Sequence, residues 1–588
     1  MKRDTSMLLL VGLILAVLAG CGNSGGQSAQ TASSAPTVQE STTQAEAEAP
    51  QEPEAAETES AAEPEASTET EPPAEQEEET PEIQPEKSDY DLPLFDETLE
   101  FSWFWVNNGA SESKEKQNIE FWNELQDQLN IAVTWIQPGS SVASEQYNLM
   151  ISSGDWADLI WHSGVASEGY STAYPGGYDA AIEDDVYLGL NDLIPEYAPN
   201  YYYYLMTNPD VNKAVTTDGG NWYAFHQIES EPTGVIQGTY IRQDLLEATG
   251  LPMPGTTDEW MTLLDALKEN GVESPLFVNN DGGAALIGNA FGTTMSWSFK
   301  VDTASGQVVF DPMSQEFRDY VAWIHEAYEN GYISETFPSD DVMDGARNNL
   351  LEGVCATYNS MWSFDSVAER MMGVSLTACD VVTVPGETNP KIYDGSSLTA
   401  RTANFRECAI TAATEHPEEL VKLLDFFYSD TGSQIANYGF HEGVSYEYVD
   451  GEIRLTPAMI EVDRSVGLTN IAKYAFEEGP FYEVADRRVV VENEKSQNNI
   501  KVWSDIDTDA VQYMSMPTLS FNQEESEIIA NVAADVATVV EAQMLKWMTG
   551  AEPLDDASWE SYLGYLRDIG AEDYLSAYET AYARYLSR

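Results

Sequence analysis

From Gly22 to Glu86 the chain has no aromatic residue, and its only aliphatic side chains larger than alanine are Val38 and Ile83. Ser, Thr, Ala, Gln, Pro and Glu make up most of the rest. Such a segment cannot bury enough apolar surface to offset the entropy of ordering it, so residues 22–92 are predicted to be a disordered acidic linker. As a flexible coil it spans roughly 45 Å on average, and more where its glutamates repel one another. The folded body must therefore be built from about residue 93 onward.

Ahead of the linker, Lys2 and Arg3 precede an apolar run from Met7 to Leu18, which ends in Leu18-Ala19-Gly20-Cys21. A charged start and a short apolar stretch form an export signal, too short to remain as a spanning helix. The last four residues resemble a bacterial lipobox. Residues 1–21 are thus expected to be a lipoprotein signal peptide, with Cys21 lipidated and the chain anchored to the cell membrane on its extracellular side.

The 100 acidic and 27 basic residues give a formal charge of −73. That balance excludes nucleic acid as a partner, since phosphate binding needs clustered Lys and Arg. It also keeps the protein off anionic lipid without a covalent hold. Cys355, Cys379 and Cys408 lie in short apolar runs at no metal-like spacing and read as small buried hydrophobes, with a disulfide between two of them left open. No Cys-x-x-Cys or His-Glu-x-x-His occurs, so no metal and no cofactor are expected.

With 588 residues the chain is too long for one core, and two domains are the natural expectation. Leu99–Val106 is a β-type run. Ile119, Trp122, Leu125 and Leu129 follow at helical spacing, and Ile131–Ile136 is a second strand. This order predicts a βαβ unit with parallel strands. Thr256-Thr257-Asp258-Glu259 fits a capping box before the stripe Trp260, Leu263, Leu264 and Leu267. Pro417 opens a helix with Leu420, Leu424 and Phe427 on one face. The final stretch is helical, with stripes at Ile529, Val532, Val536 and Val540, at Trp559, Tyr562, Leu563 and Leu566, and at Tyr574, Tyr578 and Tyr582.

Several segments, in order, resemble the family 1 extracellular solute-binding proteins, in particular the lipoprotein branch near the LplA-type and alginate-oligosaccharide binders. They are Tyr147 to Ile160 with Ser153-Gly154-Asp155, and Asp218-Gly219 before Trp222-Tyr223-Ala224. Next come Tyr240-Ile241-Arg242-Gln243-Asp244, Gly250-Leu251-Pro252 with Thr257-Asp258-Glu259-Trp260, Tyr438 to Tyr446, and the closing helices from Trp547 to Tyr585. Ala157 stands where the family has proline. Many relatives carry a calcium loop after the helix that follows the Asp-Glu-Trp block. Here Lys268 to Pro275 lacks its alternating oxygen ligands, and Asp340, Asp341 and Asp344 read as surface acid.

The resemblance implies an α/β fold of two lobes, periplasmic-binding-protein-like and of type II, with a hinge between them and extra C-terminal helices. Its implied boundaries are 93–237 plus 399–438 for the N-terminal lobe and 238–398 plus 439–588 for the C-terminal lobe. The chain crosses near Gly238, Thr399 and Tyr438. It further implies a monomer that binds a carbohydrate, expected to be an oligosaccharide, between the lobes and passes it to the permease subunits of an ABC importer. Two other readings stay open: the same fold with a peptide or other small polar solute, and a surface sensor or adhesin with no transport role. An enzyme is not expected. No nucleophile elbow or phosphate loop occurs, and among so many acids a carboxylate pair at hydrolase spacing decides nothing.

Sugars present apolar faces and a rim of hydroxyls, which suit aromatic rings and polar side chains. Trp103, Phe104 and Trp105 with Asn107 and Asn108 close the first strand, and Trp161-His162 closes another, where an open sheet places its ligands. Alternation lets only part of the Trp103–Trp105 group face the cleft, and Trp105 is favoured. The candidate ligand residues are Trp105, Asn107, Trp161, Tyr240, Arg242, Trp297, Trp362, Tyr438 and Glu442. Arg242 has a competing role as the ion-pair partner of Asp244. Trp297 and Trp362 are expected to form the opposing platform, and Asp155 to orient its turn.

Overall fold

The computed structural model describes residues 85–106, 115–162, 174–231, 235, 237–279, 285–293, 298–337, 349–362, 364–365, 368–369, 373–393, 402–460, 470–484, 487, 494–517 and 519–588. In chain order its strands are β1 (Leu99–Phe104), β2 (Ile131–Ile136), β3 (Leu159–His162), β4 (Ala224–Glu229), β5 (Gln237–Arg242), β6 (Phe299–Asp302), β7 (Val308–Phe310), β8 (Thr357–Met361), β9 (Leu376–Ala378), β10 (Ile392–Tyr393), β11 (Thr402–Ile410), β12 (Tyr446–Val449), β13 (Glu452–Leu455), β14 (Tyr482–Glu483) and β15 (Tyr513–Ser515).

The first lobe is built on a six-stranded sheet of order β14-β4-β11-β3-β1-β2. β1 pairs in parallel with both β2 and β3, joined by helix Glu120–Leu129, so the predicted βαβ unit is present. Asp158 sets the register of β3, because its carboxylate accepts from the backbone and hydroxyl of Ser102 at 2.7 and 2.6 Å. β11 runs antiparallel to β3 and β4. One hydrophobic core, containing Trp103, Trp122, Leu159, Phe225, Cys408, Leu424 and Phe427, fills this lobe.

The second lobe has sheets of order β8-β5-β9 and β10-β15-β6-β7 around a separate core. Thr256 and Glu259 form the capping box reciprocally, and Trp260, Leu263, Leu264 and Leu267 of helix Thr257–Glu269 are buried. Helix Gln523–Met548 is long and apolar enough by composition to cross a membrane. Here Val536, Val540, Met544, Trp547 and Met548 pack into the second core instead. Helices Asp556–Asp568 and Ala571–Ser587 complete the lobe. Cys355, Cys379 and Cys408 are free and buried, and burial pushes the Cys355 thiol up to about 12.

Two of the expected boundaries shift. Residues 470–484, expected in the second lobe, belong to the first: β14 pairs with β4, and Phe476 and Phe481 enter the first core. The last crossing therefore follows Glu483 and not Tyr438. Local pattern cannot show this, because a two-residue edge strand carries no periodicity of its own. The ordered body also starts before residue 93. Ser88 N donates to Asn200 at 3.0 Å and the Tyr90 hydroxyl to Asp425 at 2.6 Å. Burial raises the Asp425 carboxyl to about 6, opposed by donors from Tyr90, Asn200 and Tyr201. Cys21 and most of the linker lie outside the described residues.

Candidate functional site

The strand directions single out one edge of the first-lobe sheet. β1, β2 and β3 end there, β11 starts there, and β4 and β14 end there. The chain leaves this edge after Glu229 for β5, returns to it from β10 into β11, and leaves it again after Glu483. An edge from which every connection to the second lobe departs is the edge that faces it. In the second lobe the matching edge is the start of β5, where Gln237 pairs with Met361 and places Trp362 beside the entry point.

Trp105 and Trp161 stand on the first-lobe edge, on the same face of adjacent strands. Their rings stack at 5.1 Å with planes 1° apart. Trp122 and Trp135 meet Trp105 edge-on at 5.4 and 6.3 Å. Lys116 Nζ lies 4.2 Å from the Trp105 ring and 4.7 Å from Trp122. Burial lowers this ammonium to about 8, while Glu477 and Glu478 pull the other way. Gly479 closes the cluster from above; a Cβ there would come within 3.1 Å of the Trp105 ring, and its φ is +145°. Arg406 reaches Glu478 at 3.6 Å and donates to Gln227 at 3.3 Å.

Trp105 is 3% exposed and Trp161 1%, so in this structure they form a sealed floor. The Trp161 indole nitrogen is buried with no hydrogen-bond partner among the described residues. Beside the start of β5 in the second lobe, Trp362 is half-buried, and its indole nitrogen is also without a partner among the described residues while its carbonyl accepts from Asn499 at 2.9 Å. An indole N–H left unpaired in a buried setting carries a desolvation cost that an acceptor can relieve.

Other expected ligand residues lie elsewhere. Tyr240 is fully buried in the second core, edge-on to Trp503 at 5.1 Å with its hydroxyl accepting from Asn499 at 3.2 Å. The cause is strand alternation, which puts Tyr240 on the face of β5 covered by Trp503; Gly238 shares that face, where a Cβ would meet the indole at 2.3 Å. Arg242 pairs with both Asp244 oxygens at 2.9 and 2.5 Å and donates to the carbonyls of Leu350 and Leu351. Tyr438 is buried beside a cavity of about 290 Å³ lined also by Lys87, Tyr204, Gln434 and Tyr482, within the first lobe. Glu442 is exposed on the turn leading to β12. Asp155 lies in an exposed turn. Asn107, Asn108, Trp297, Asp340, Asp341 and Asp344 lie outside the described residues.

Lys116, Arg406, Glu477 and Glu478 were not anticipated. Only Glu477-Glu478-Gly479-Pro480, a turn sequence amid aromatic residues, signals them. Near the same edge Glu407 is fully buried, with Oε1 accepting from Tyr178 at 3.1 Å and Tyr223 at 3.5 Å, and with Oε2 unpaired. Burial holds its carboxyl well above the usual carboxylate range, against the two phenol donors. The folded state then binds this proton over a range where the unfolded chain has released it. That stability is full below the unfolded pKa and drains as pH rises through the folded one. Glu407→Gln is thus expected to overtake wild type in stability as pH rises from about 5 to about 7.5, read by urea unfolding at each pH. An equal gap at both would mean that Glu407 is charged in the fold.

Among the described residues no group of three or more His, Cys, Asp or Glu could hold a metal ion. The site offers flat rings and polar rims, an arrangement suited to binding.

Known proteins agree with this architecture. The fructooligosaccharide ABC transporter substrate-binding protein FusA of Streptococcus pneumoniae is 23% identical over 500 residues, 78% of this chain and 86% of that one. An HMO-binding, ABC-transporter-associated solute-binding protein of Bifidobacterium longum infantis superposes with a TM-score of 0.66 at 18% identity, covering 83% of this chain and 99% of that one. The alginate-binding protein AlgQ2 gives 0.61 at 21% identity, covering 85% and 100%. The profile of one family, described as bacterial extracellular solute-binding protein, matches residues 113–434, more than half of the sequence, and this chain belongs to that family.

Proposed function

We propose that the chain captures an oligosaccharide between its lobes and delivers it to the permease of an ABC importer, working as a monomer tethered by a lipid on Cys21. The carrying observation is topological: Trp105 and Trp161 sit on the one edge from which every inter-lobe connection departs, and Trp362 sits on the edge facing it. The half-buried Trp362, whose indole N–H has no partner among the described residues, suits a hydroxyl oxygen through that donor and a sugar C–H surface through its ring face. Relatives named for fructooligosaccharide and alginate favour a carbohydrate over a peptide. The linker then serves as a flexible lead that lets the lobes reach ligand away from the membrane while staying near the permease.

Thermal unfolding with fructo-oligosaccharides, alginate oligosaccharides and short peptides tests this. A true ligand at a hundredfold excess over its Kd stabilises by about 2.7 kcal/mol, growing with the logarithm of concentration. At least one glycan is expected to do so. Trp362→Ala should then raise its Kd at least about fivefold, the loss of roughly 1 kcal/mol of stacking. Stabilisation by peptides alone, or turnover of a glycan, would overturn the reading.

A further inference from the structure

Helix Ala571–Ser587 belongs to the second lobe by packing. Tyr578 stacks on Phe299 at 3.7 Å, Tyr574 meets Phe299 and Phe310 edge-on at 4.9 and 5.8 Å, and Ala571, Ala577 and Ala581 are buried. Its last turn does something different. Arg584 Nε donates to Asp218 Oδ2 at 2.8 Å, and Arg588 Nε donates to Asp218 Oδ1 at 2.8 Å. Asp218 belongs to the first lobe, in the loop between helix Pro209–Val215 and β4.

Both sides of this contact are rigidly mounted. The Asp218 loop is pinned by Asp179, which accepts from Gly219 N at 2.7 Å and from Asn221 at 2.8 Å. On the other side Glu525 grips Arg584 in a bidentate pair at 2.5 and 2.6 Å. Arg588 also donates to the Thr216 carbonyl at 2.8 Å and to the Ser520 hydroxyl at 3.0 Å. Lys213 of the first lobe lies 4.6 Å over the ring of Tyr585. Arg588 and Asp218 are largely withdrawn from water, at 5% and 15% exposed, and Arg584 is 29% exposed. Charge-assisted bonds in that setting are stronger and less salt-screened than surface pairs, and a lost partner leaves a buried charge uncompensated.

The polypeptide joins the lobes at three places, after Glu229, before Thr402 and after Glu483. The Arg584–Asp218–Arg588 cluster is a further link, made without a covalent connection and carried on a helix that cannot bend to follow both lobes. Rotation of one lobe against the other about an axis away from this contact displaces Asp218 from the arginines. We propose that this cluster is an ionic latch that holds the lobes in the orientation seen here, so that its strength sets the balance between inter-lobe orientations. Any ligand that closes or opens the cleft then works against a fixed electrostatic cost, whatever its chemistry.

The test needs no ligand, so its failure is separate from failure of the carbohydrate reading. Spin labels placed through Asp127→Cys on the first lobe and Glu560→Cys on the second report the inter-lobe distance by pulsed electron resonance. Both positions are exposed, the cysteines at 355, 379 and 408 are buried, and the full chain would carry Cys21→Ala. Asp218→Asn and Arg588→Gln are each expected to produce a displaced or second distance population. Asp218→Asn removes both arginine contacts and Arg588→Gln only one, so adding Arg588→Gln to Asp218→Asn should do no more than Asp218→Asn alone. Molar salt should move the wild type only part of the way toward the variants, because the cluster is partly shielded, and should leave Asp218→Asn unmoved. If Asp218→Asn folds poorly, Arg588→Gln and the salt series on wild type carry the test. A distance distribution identical in wild type and folded variants at both salt levels would overturn the latch and leave the cluster a static staple.

Discussion

Asp311→Asn is expected to destabilise the second lobe by about 3–5 kcal/mol, because it leaves a buried ammonium without its counter-charge. Lys300 and Asp311 are both fully buried and pair at 2.7 Å. The other partners of Lys300 are neutral: the Gly292 carbonyl at 2.7 Å, the Ser314 hydroxyl at 3.3 Å and the Tyr513 ring at 4.3 Å. Neutral dipoles do not replace a carboxylate at that depth. The pair itself need not be a net gain, since both ions lose their hydration. The double variant Lys300→Met with Asp311→Leu is therefore expected to recover most of the loss. Urea unfolding followed by a probe in the second lobe separates its transition from that of the first, because a two-lobed chain need not unfold in one step. A single variant within about 1 kcal/mol of wild type would show that water reaches the pair.

Trp105→Ala should cost about 3–5 kcal/mol in the first lobe, the usual penalty for emptying a large buried aromatic site. The ring touches Trp103, Trp122, Trp135 and Trp161, so the hole cannot be filled by one neighbour turning over. Lys116 would also lose one of its two aromatic faces. Trp105→Phe keeps a ring in place and is expected to lose less than half as much. The comparison matters for function. A floor that is sealed and stiff can hold the edge of the cleft in place for a ligand without itself being the contact surface. In that case Trp105→Phe retains ligand stabilisation in the thermal assay while Trp362→Ala weakens it. Near-neutral Trp105→Ala would instead mean that the ring is loosely held and free to face the cleft.

Much of the local architecture was legible. The capping box at Thr256 and Glu259, the stripe from Trp260 to Leu267 and the proline-led helix at Pro417 all appear as their patterns require. These signals are local: a cap and a 3.6-residue stripe are written within one turn or one helix. The parallel pairing of β1 with β2 follows from a helix between two short strands, since the right-handed crossover leaves little choice. Alternation also correctly limits how many residues of Trp103–Trp105 share a face. What it could not show is which face is covered, and by what. Trp105 and Trp161 are sealed by Lys116 and by the turn at Gly479, which comes from a segment more than three hundred residues later. Tyr240 is buried because Trp503 lies over Gly238. For Arg242 the sequence offered an ion pair with Asp244 as one role, and the structure shows that pair.

By itself, then, the order of residues determined which segments are helical, which are extended, where the folded body roughly begins and which family it joins. Those properties depend on neighbours within a few residues or on motifs in register. Only the tertiary structure decided that 470–484 returns to the first sheet, that Asp218 meets Arg584 and Arg588, and that Trp105 and Trp161 are sealed. Each of these depends on two surfaces far apart in the chain excluding water together, and no local pattern encodes its own distant partner.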